Sequence, residues 1–129
     1  MVLTPHPGEA AEMLKVTTKE IQKNRIKSAK ALQKKYGCII VLKGNGTIIC
    51  NKKDIYLCSS GGPELAVAGA GDILSGVIGS FVAQGLTPFD AAKTGVVIHA
   101  LAGEKFANDV GRIGMAAGEL IPYIRKFLN

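Results

Sequence analysis

Residues 38–42 form an uninterrupted apolar run, Cys-Ile-Ile-Val-Leu, which restricts the choice of fold more than any other feature of the chain. A strand with one face in water alternates apolar and polar residues, whereas a strand covered on both faces is apolar throughout. The β-branched residues in the run favour a strand over a short buried helix. The run therefore predicts an α/β fold, in which helices cover both faces of a sheet.

The segments on either side of this run supply the other elements of such a fold. Helical spacing of apolar residues, together with capping residues, predicts helices over residues 8–14, 17–36, 69–84, 87–108 and 117–127. Residues 47–50 and 55–58 are predicted to form a hairpin, and residues 1–3 the end of a further strand. Because that last strand has almost no body, we expect its upstream part to be missing or supplied by another chain. The 129 residues suit a single domain.

The net charge of +6 favours anionic partners without identifying one. The excess is concentrated between Lys15 and Lys35, on a predicted helix whose lysine face would lie in solvent. Aromatic residues make up only 5% of the chain, and no nucleic-acid-binding module is recognisable. We therefore expect phosphate-bearing small molecules rather than nucleic acid as partners.

The three cysteines, Cys38, Cys50 and Cys58, lack the paired spacing of a zinc site or a redox dithiol. Those within apolar runs are predicted to be reduced and buried, as in a cytoplasmic protein. No apolar run approaches the roughly 18 residues of a membrane span, and Pro5 and Pro7 interrupt any secretory signal. We expect a cytoplasmic location with no membrane partner.

Residues 68–76, Ala-Gly-Ala-Gly-Asp-Ile-Leu-Ser-Gly, form a glycine-rich turn that runs directly into an apolar helix. Such a turn lets the backbone approach an anion, and the unpaired N–H groups of the helix start face it. Asp72 would lie in the first turn, ionised and able to accept a proton from a substrate hydroxyl. For these residues alone, a capped helix start without a ligand is an equally good interpretation.

His99 lies on a predicted helix among Val96, Val97, Ile98, Ala100 and Leu101. A histidine in such surroundings is more often a hydrogen-bonded core residue than a catalytic one. We predict a core position for His99, and likewise for Met13 and Met115.

Three segments in order along the chain resemble those of one family. Residues 4–9 look like the T-P-H-P-G-E segment of the NAD(P)H-hydrate dehydratases, residues 43–47 are similar to their K-G-x-x-T nucleotide loop, and residues 68–76 resemble their glycine-rich anion hole. The likeness continues through residues 84–86, 91–92 and 99–103. It implies a ribokinase-like, three-layer α/β/α (Rossmann-like) fold, of which residues 1–129 are the C-terminal part of a single domain. The N-terminal part of the family's sheet is not in this chain.

The resemblance also implies roles for individual residues. His6 and Asp72 would contact the hydrated nicotinamide cofactor, with Asp72 as the catalytic base. For His6 the alternative to a substrate contact is a turn histidine held by two prolines. The predicted anion hole consists of Gly69, Ala70 and Gly71. The predicted adenine-nucleotide contacts are Lys43, Gly44, Asn45, Gly46, Thr47 and Gly71.

The implied reaction is ADP- or ATP-dependent dehydration of the S-epimer of NAD(P)H hydrate. The nucleotide would phosphorylate the hydroxyl of the hydrated ring, and loss of phosphate would regenerate NADH or NADPH. The reaction class implies Mg²⁺ on the nucleotide phosphates, while no ligand cluster in the sequence predicts a protein metal site. Gly62 and Ala70 depart from the family, which usually has asparagine and serine at these positions.

Two other functions remain open from the sequence, and an oligomer is also expected. The Gly-Ala-Gly-Asp form of the anion hole is common among sugar and vitamin kinases, so a ribokinase-like small-molecule kinase is one alternative. The other is a non-catalytic nucleotide-binding fragment that needs a complementary N-terminal half. We further expect a homo-oligomer.

Overall fold

A computed structural model describes all 129 residues of the chain. Its sheet has four strands, and the apolar run discussed above forms the second of them. The strands are β1 (Val2–Leu3), β2 (Ile39–Leu42), β3 (Thr47–Cys50) and β4 (Ile55–Cys58). The predicted hairpin is therefore confirmed with its predicted boundaries.

The strands lie in the order β1-β2-β3-β4, with β1 parallel to β2 and the other two pairs antiparallel. The connection from β1 to β2 carries three helices, as a parallel pair requires a crossover. In the register, Leu3 pairs with Ile40 and Leu42 pairs with Ile48. One edge of β1 and one edge of β4 have no neighbouring strand.

Helices cover both faces of this sheet. The helices are α1 (Pro7–Leu14), α2 (Thr18–Lys23), α3 (Arg25–Tyr36), α4 (Ala70–Ala83), α5 (Pro88–Asp109) and α6 (Leu120–Leu128). Ile40 and Leu42 pack against the first three helices, whereas Val41 between them packs against α4 and α5. This alternation explains the apolar run and confirms the three-layer α/β/α arrangement.

The predicted single helix over residues 17–36 is wrong, because the chain breaks it at Asn24. Asn24 has φ −147° and ψ 83°, and its side-chain oxygen accepts a hydrogen bond from the Lys27 N–H at 3.1 Å. It thus ends α2 and caps α3, the alternative that asparagine offers to a continuing helix. Thr17 caps α2 as predicted, by accepting from the Glu20 N–H.

The helices after the sheet follow the prediction more closely. Thr87 caps α5 with Pro88 in the first turn, and Asp90 donates its N–H to the Thr87 hydroxyl at 3.2 Å. The last predicted helix begins as a short 3₁₀ turn, Ala117–Glu119, before α6 continues to Leu128. The six helices include none that combines the length and the hydropathy of a transmembrane segment.

The cysteines and the predicted core residues lie largely inside. Cys50 and Cys58 are buried free thiols, and Cys38 is half-buried. Burial raises the pKa of all three thiols, because the thiolate is poorly solvated there. Met115 is buried against α5 and α6, as predicted, whereas Met13 is only partly buried at the margin of the core.

Candidate functional site at the start of helix α4

The glycine-rich turn ends where α4 begins, and Gly69 is its N-cap residue. Gly69 has φ +87°, a conformation that glycine adopts without the steric penalty of a side chain. Ala70 donates its N–H to the Val67 carbonyl oxygen at 3.2 Å, and Ile73 donates to Gly69 at 3.1 Å. The amides of Gly71 and Asp72, which lie between them, donate to no protein acceptor. The Ala70 amide predicted for the anion hole is thus engaged internally, and Asp72 offers a free amide in its place.

Lys43 extends over this helix start from the end of β2. A Cβ atom built on Gly71 would lie only 2.7 Å from the Lys43 Nζ. Lys43 is half-buried and forms no salt bridge with any carboxylate of the chain. An unpaired ammonium group therefore lies beside two unpaired amides at the positive end of a helix dipole, which is an arrangement suited to a phosphate.

The three segments that resemble one family contact one another directly. The Lys43 N–H donates to the Pro5 carbonyl oxygen at 3.0 Å. The hydroxyl groups of Thr4 and Ser75 share a hydrogen bond at 3.3 Å, one helical turn beyond Asp72. Together with the contact between Lys43 and Gly71, these bonds join the 4–9 turn, the 43–47 loop and the start of α4 in one site.

Asp72 is the third residue of α4, and its side chain is exposed. Its carboxylate accepts no hydrogen bond and joins no ion pair within the chain. Asp72 is therefore free to contact a substrate, and its predicted catalytic role stays a prediction.

His6 has a structural role that weighs on its predicted contact with substrate. Its Nδ1 accepts hydrogen bonds from the N–H groups of Gly8 at 3.0 Å and Glu9 at 3.2 Å, so His6 caps α1. Its Nε2 must then carry the proton, and it lies 2.8 Å from Glu9 Oε1. Both ring nitrogens are used within the turn, and substrate binding through Nε2 would have to replace the bond to Glu9. The contact of His6 with substrate stays a prediction.

The 43–47 loop presents polar backbone around Lys43. Thr47 donates its hydroxyl to the Gly44 carbonyl oxygen at 3.3 Å, which closes the loop into a turn. Gly44 and Asn45 are exposed, and the Asn45 side chain forms no hydrogen bond with the protein. The predicted nucleotide roles of Gly44, Asn45, Gly46 and Thr47 stay predictions.

His99 supports the site from beneath, which confirms its core position and adds a function that sequence reasoning missed. It is 7% exposed, and its Nε2 donates to the Ala70 carbonyl oxygen at 3.0 Å. Burial is the main cause that lowers the pKa of His99, with the nearby Lys43 charge acting in the same direction. The neutral ring thus holds the first residue of α4 in place. The family-like segment around residues 99–103 was the only sequence signal for this role.

The glycine at position 62 is explained by its neighbour Glu64. A Cβ atom at Gly62 would lie 2.6 Å from Glu64 Oε2, and the Glu64 side chain is 1% exposed. An asparagine, usual in the family here, would therefore require Glu64 to move. The chain contains no group of three or more His, Cys, Asp or Glu residues placed to hold a metal ion.

Comparison with known proteins decides between the families that such a site allows. The sequence profile of the NAD(P)H-hydrate dehydratases matches residues 1–126. The chain belongs to the NAD(P)H-hydrate dehydratase family.

Two relatives of this dehydratase family member illustrate how much of a longer protein it covers. A bifunctional NAD(P)H-hydrate repair enzyme of Coxiella burnetii is 43% identical over 129 residues, covering 99% of this chain and 26% of the relative. An ADP-dependent (S)-NAD(P)H-hydrate dehydratase of Neisseria meningitidis is 38% identical and covers 100% of this chain and 44% of the relative. The chain thus spans less than half the length of either relative.

Solved structures confirm the predicted ribokinase-like fold. An ADP/ATP-dependent NAD(P)H-hydrate dehydratase from Bacillus subtilis, co-crystallised with ATP and Mg²⁺, superposes with a TM-score of 0.94 at 33% identity, over 98% of this chain and 46% of that one. A hydroxyethylthiazole kinase from Pyrococcus horikoshii superposes with a TM-score of 0.84 at 19% identity, over 97% of this chain and 48% of that one. At that identity the kinase shows a likeness of fold alone.

Proposed function

We propose that this chain binds the phosphates of ADP or ATP at the start of α4 and contributes the catalytic base for dehydration of (S)-NAD(P)H hydrate. The observation that carries the proposal is the position of the Lys43 ammonium group beside Gly71, where a Cβ atom would lie 2.7 Å away. The names of the relatives from Neisseria and Bacillus support the choice of reaction.

In the proposed reaction, Asp72 accepts the proton of the substrate hydroxyl. At the same time, the hydroxyl oxygen of the substrate attacks the terminal phosphorus of the nucleotide. The bond from that phosphorus to the leaving nucleotide oxygen breaks, and the substrate becomes a phosphate ester. Lys43 and the amides of Gly71 and Asp72 stabilise charge on the transferring group, so the protein contributes positioning and electrostatics. The ester then loses phosphate, with the ring nitrogen's electron pair driving departure and loss of a ring proton restoring NAD(P)H.

Magnesium fits this site as a companion of the nucleotide rather than as a resident ion. The chain has no preformed group of three metal ligands, whereas the Bacillus relative was crystallised with ATP and Mg²⁺ together. When bound, the ion would neutralise phosphate charge. Asp72 is the carboxylate at the helix start that could contact it.

A complementary N-terminal half is part of the proposal, with residues 1–129 as the C-terminal part of one domain. The outer edge of β1 has no partner strand, and an open groove of about 310 Å³ lies between β1 and α4. Val2, Ile78 and Val82 contribute apolar surface to this groove. An unpaired strand edge beside apolar surface is suited to further strands of the same sheet. The alternative that the isolated chain binds nucleotide without turnover is favoured by this observation.

We also propose a cytoplasmic homo-oligomer. Ile55, Tyr56 and Leu57 on the outer strand β4 are all exposed, by 38%, 40% and 56%. Such an edge is a natural place for pairing with a second copy. Three free cysteines fit a reducing compartment.

Recovery of NADH from its S-hydrate tests the proposed function. The chain would be incubated with NADH hydrate, Mg²⁺ and either ADP or ATP, with and without the N-terminal half of a family member, while reduced-nicotinamide absorbance is followed. We expect nucleotide-dependent recovery in the reconstituted protein and little in the chain alone. A stable phosphorylated alcohol without recovery of NADH would instead favour the kinase. The absence of any nucleotide-dependent product after reconstitution would reject the proposed function.

A further inference from the structure

Arg25 lies behind the 43–47 loop and directs one end of its guanidinium group at three backbone carbonyls. Its Nη2 donates to the carbonyl oxygens of Leu42 at 3.3 Å, Lys43 at 3.3 Å and Gly46 at 3.1 Å. Its Nη1 donates to Gln22 Oε1 at 2.7 Å, which orients the group. Arg25 therefore bridges both ends of the turn that carries Lys43.

The position of Arg25 is unfavourable for a cation by itself. Arg25 is the first residue of α3, where the helix dipole disfavours positive charge. It is half-buried, and this burial lowers the pKa of its guanidinium group. The hydrogen bonds to the loop must offset both effects. The neighbouring Lys27 is exposed, so its charge stays in water.

Arg25 follows directly on the break at Asn24. Asn24 ends one helix and caps the next, and the Arg25 side chain reaches from the first turn of α3 to the end of β2. The planar guanidinium group can donate to several carbonyls at once, which a lysine ammonium on a flexible stem does less well.

These bonds orient two peptide planes at Lys43. In a planar trans peptide the N–H points opposite to the C=O. The Leu42 carbonyl faces Arg25, and the N–H of the same peptide, from Lys43, donates to Pro5 on the other side. The Lys43 carbonyl also faces Arg25, so the Gly44 N–H points away from it and meets no protein acceptor.

Glycine at position 44 is required by the same arrangement. Gly44 has φ +142°, and a Cβ atom there would lie 2.8 Å from Arg25 Nη1. The loop therefore approaches the guanidinium group more closely than a side chain would permit. This accounts for the glycine without any reference to a ligand.

We propose that Arg25 is a positioning residue for nucleotide binding, which holds the 43–47 loop so that the Lys43 side chain and the Gly44 N–H face the phosphate. The proposal rests on the proposed nucleotide site. It assigns a specific task to one member of the basic segment that the sequence presented as a solvent-exposed face.

The test combines ADP titration with amide hydrogen exchange on the 129-residue chain and its Arg25→Ala variant. We expect ADP affinity to fall about tenfold or more, the scale on which loss of an orienting partner weakens a metal ligand. Exchange at Lys43, whose N–H donates to the Pro5 carbonyl oxygen, should accelerate in the absence of ADP, because the loop has lost its support. Guanidinium ion at millimolar concentration should partly restore affinity to Arg25→Ala, whereas Arg25→Lys should remain impaired.

Lys27→Ala is the matched control, since it removes one positive charge from the exposed face of the same helix. If Arg25→Ala loses no more affinity than Lys27→Ala, or if the Lys43 amide exchanges as in the wild type, the proposal is overturned. Should Arg25→Ala fail to fold, Gln22→Ala keeps the guanidinium but removes its 2.7 Å acceptor, and a smaller loss of the same kind is expected. Unchanged affinity in Gln22→Ala would then count against the proposal. If the wild type does not bind ADP, the nucleotide site is rejected, and with it the task assigned to Arg25. Faster exchange of the loop in Arg25→Ala would then show only that Arg25 supports the loop.

Discussion

Gly71 is the residue at which a missing side chain matters most to the site. The Lys43 Nζ occupies the space that a Cβ atom would take, and the Gly71 N–H remains unpaired beneath it. Both the lysine and the glycine were predicted from short motifs, yet only the folded chain brings them together. The anion site is thus formed by two residues that are 28 positions apart in the sequence.

Asp72 provides the clearest prediction for a single residue. In the reconstituted enzyme, Asp72→Asn should lower kcat for NADH hydrate by at least about a hundredfold, the usual scale of general-base catalysis. ADP affinity should stay within about tenfold, because a base acts in the transition state rather than in ground-state binding. Steady-state kinetics and ADP titration of the same samples measure the two effects.

Asp90→Asn is a matched control, because Asp90 is also an exposed carboxylate in the first turn of a helix. It should leave kcat unchanged. Parallel loss of ADP affinity and kcat in Asp72→Asn would show that Asp72 serves binding instead of proton transfer.

At the scale of elements, α5 supports the start of α4 through a single buried hydrogen bond from His99 to Ala70. His99 has a lowered pKa in the folded chain, so folding favours its neutral form. As the pH falls below the unfolded histidine pKa of about 6.5, the unfolded chain binds a proton that the folded chain does not. The contribution of His99 to the free energy of unfolding should therefore be fully present above that pH. It should decline below that pH, by at most about 1.4 kcal/mol per pH unit.

Urea unfolding at a series of pH values, compared with His99→Gln, measures this effect. The glutamine amide can donate to the same carbonyl without titrating, so the variant should lose the part of the acid dependence that belongs to His99. Because His6 is present in both proteins, the difference between the two curves isolates His99. Identical curves would mean that His99 does not titrate differently on folding.

The boundaries of α4 and α5 could be predicted because their caps are local. Gly69 and Thr87 are the N-cap residues of the two helices, and each lies directly before the helix that it caps. The break at Asn24 could not be predicted, since the amphipathic pattern continues through it and the preference for a break depends on how α2 and α3 pack. The internal hydrogen bond of the Ala70 amide could not be predicted for a similar reason, because its acceptor Val67 depends on the path of the preceding turn.

At the scale of the whole molecule, the site lies where the sheet meets the helix layer of α4 and α5. The end of β2 supplies Lys43, the turn after β1 supplies His6, and α4 supplies Asp72. Ligands of open α/β sheets commonly bind at the carboxyl ends of the strands. Lys43 and His6 both follow such strand ends. The outer edge of β1 is open beside this site, and the proposed complementary half would pair there.

The measurement that tests the central claim most directly is ADP titration of the isotope-labelled chain, followed by the backbone amide resonances. The account predicts saturable shifts at Gly71 and Asp72, together with Gly44, and a strong loss of affinity in Lys43→Ala. Lys93→Ala, which removes a half-buried charge of α5 that pairs with Asp90, should bind ADP as the wild type does. Saturable binding that leaves the amides of Gly71 and Asp72 unshifted, or that survives Lys43→Ala unchanged, would contradict the account.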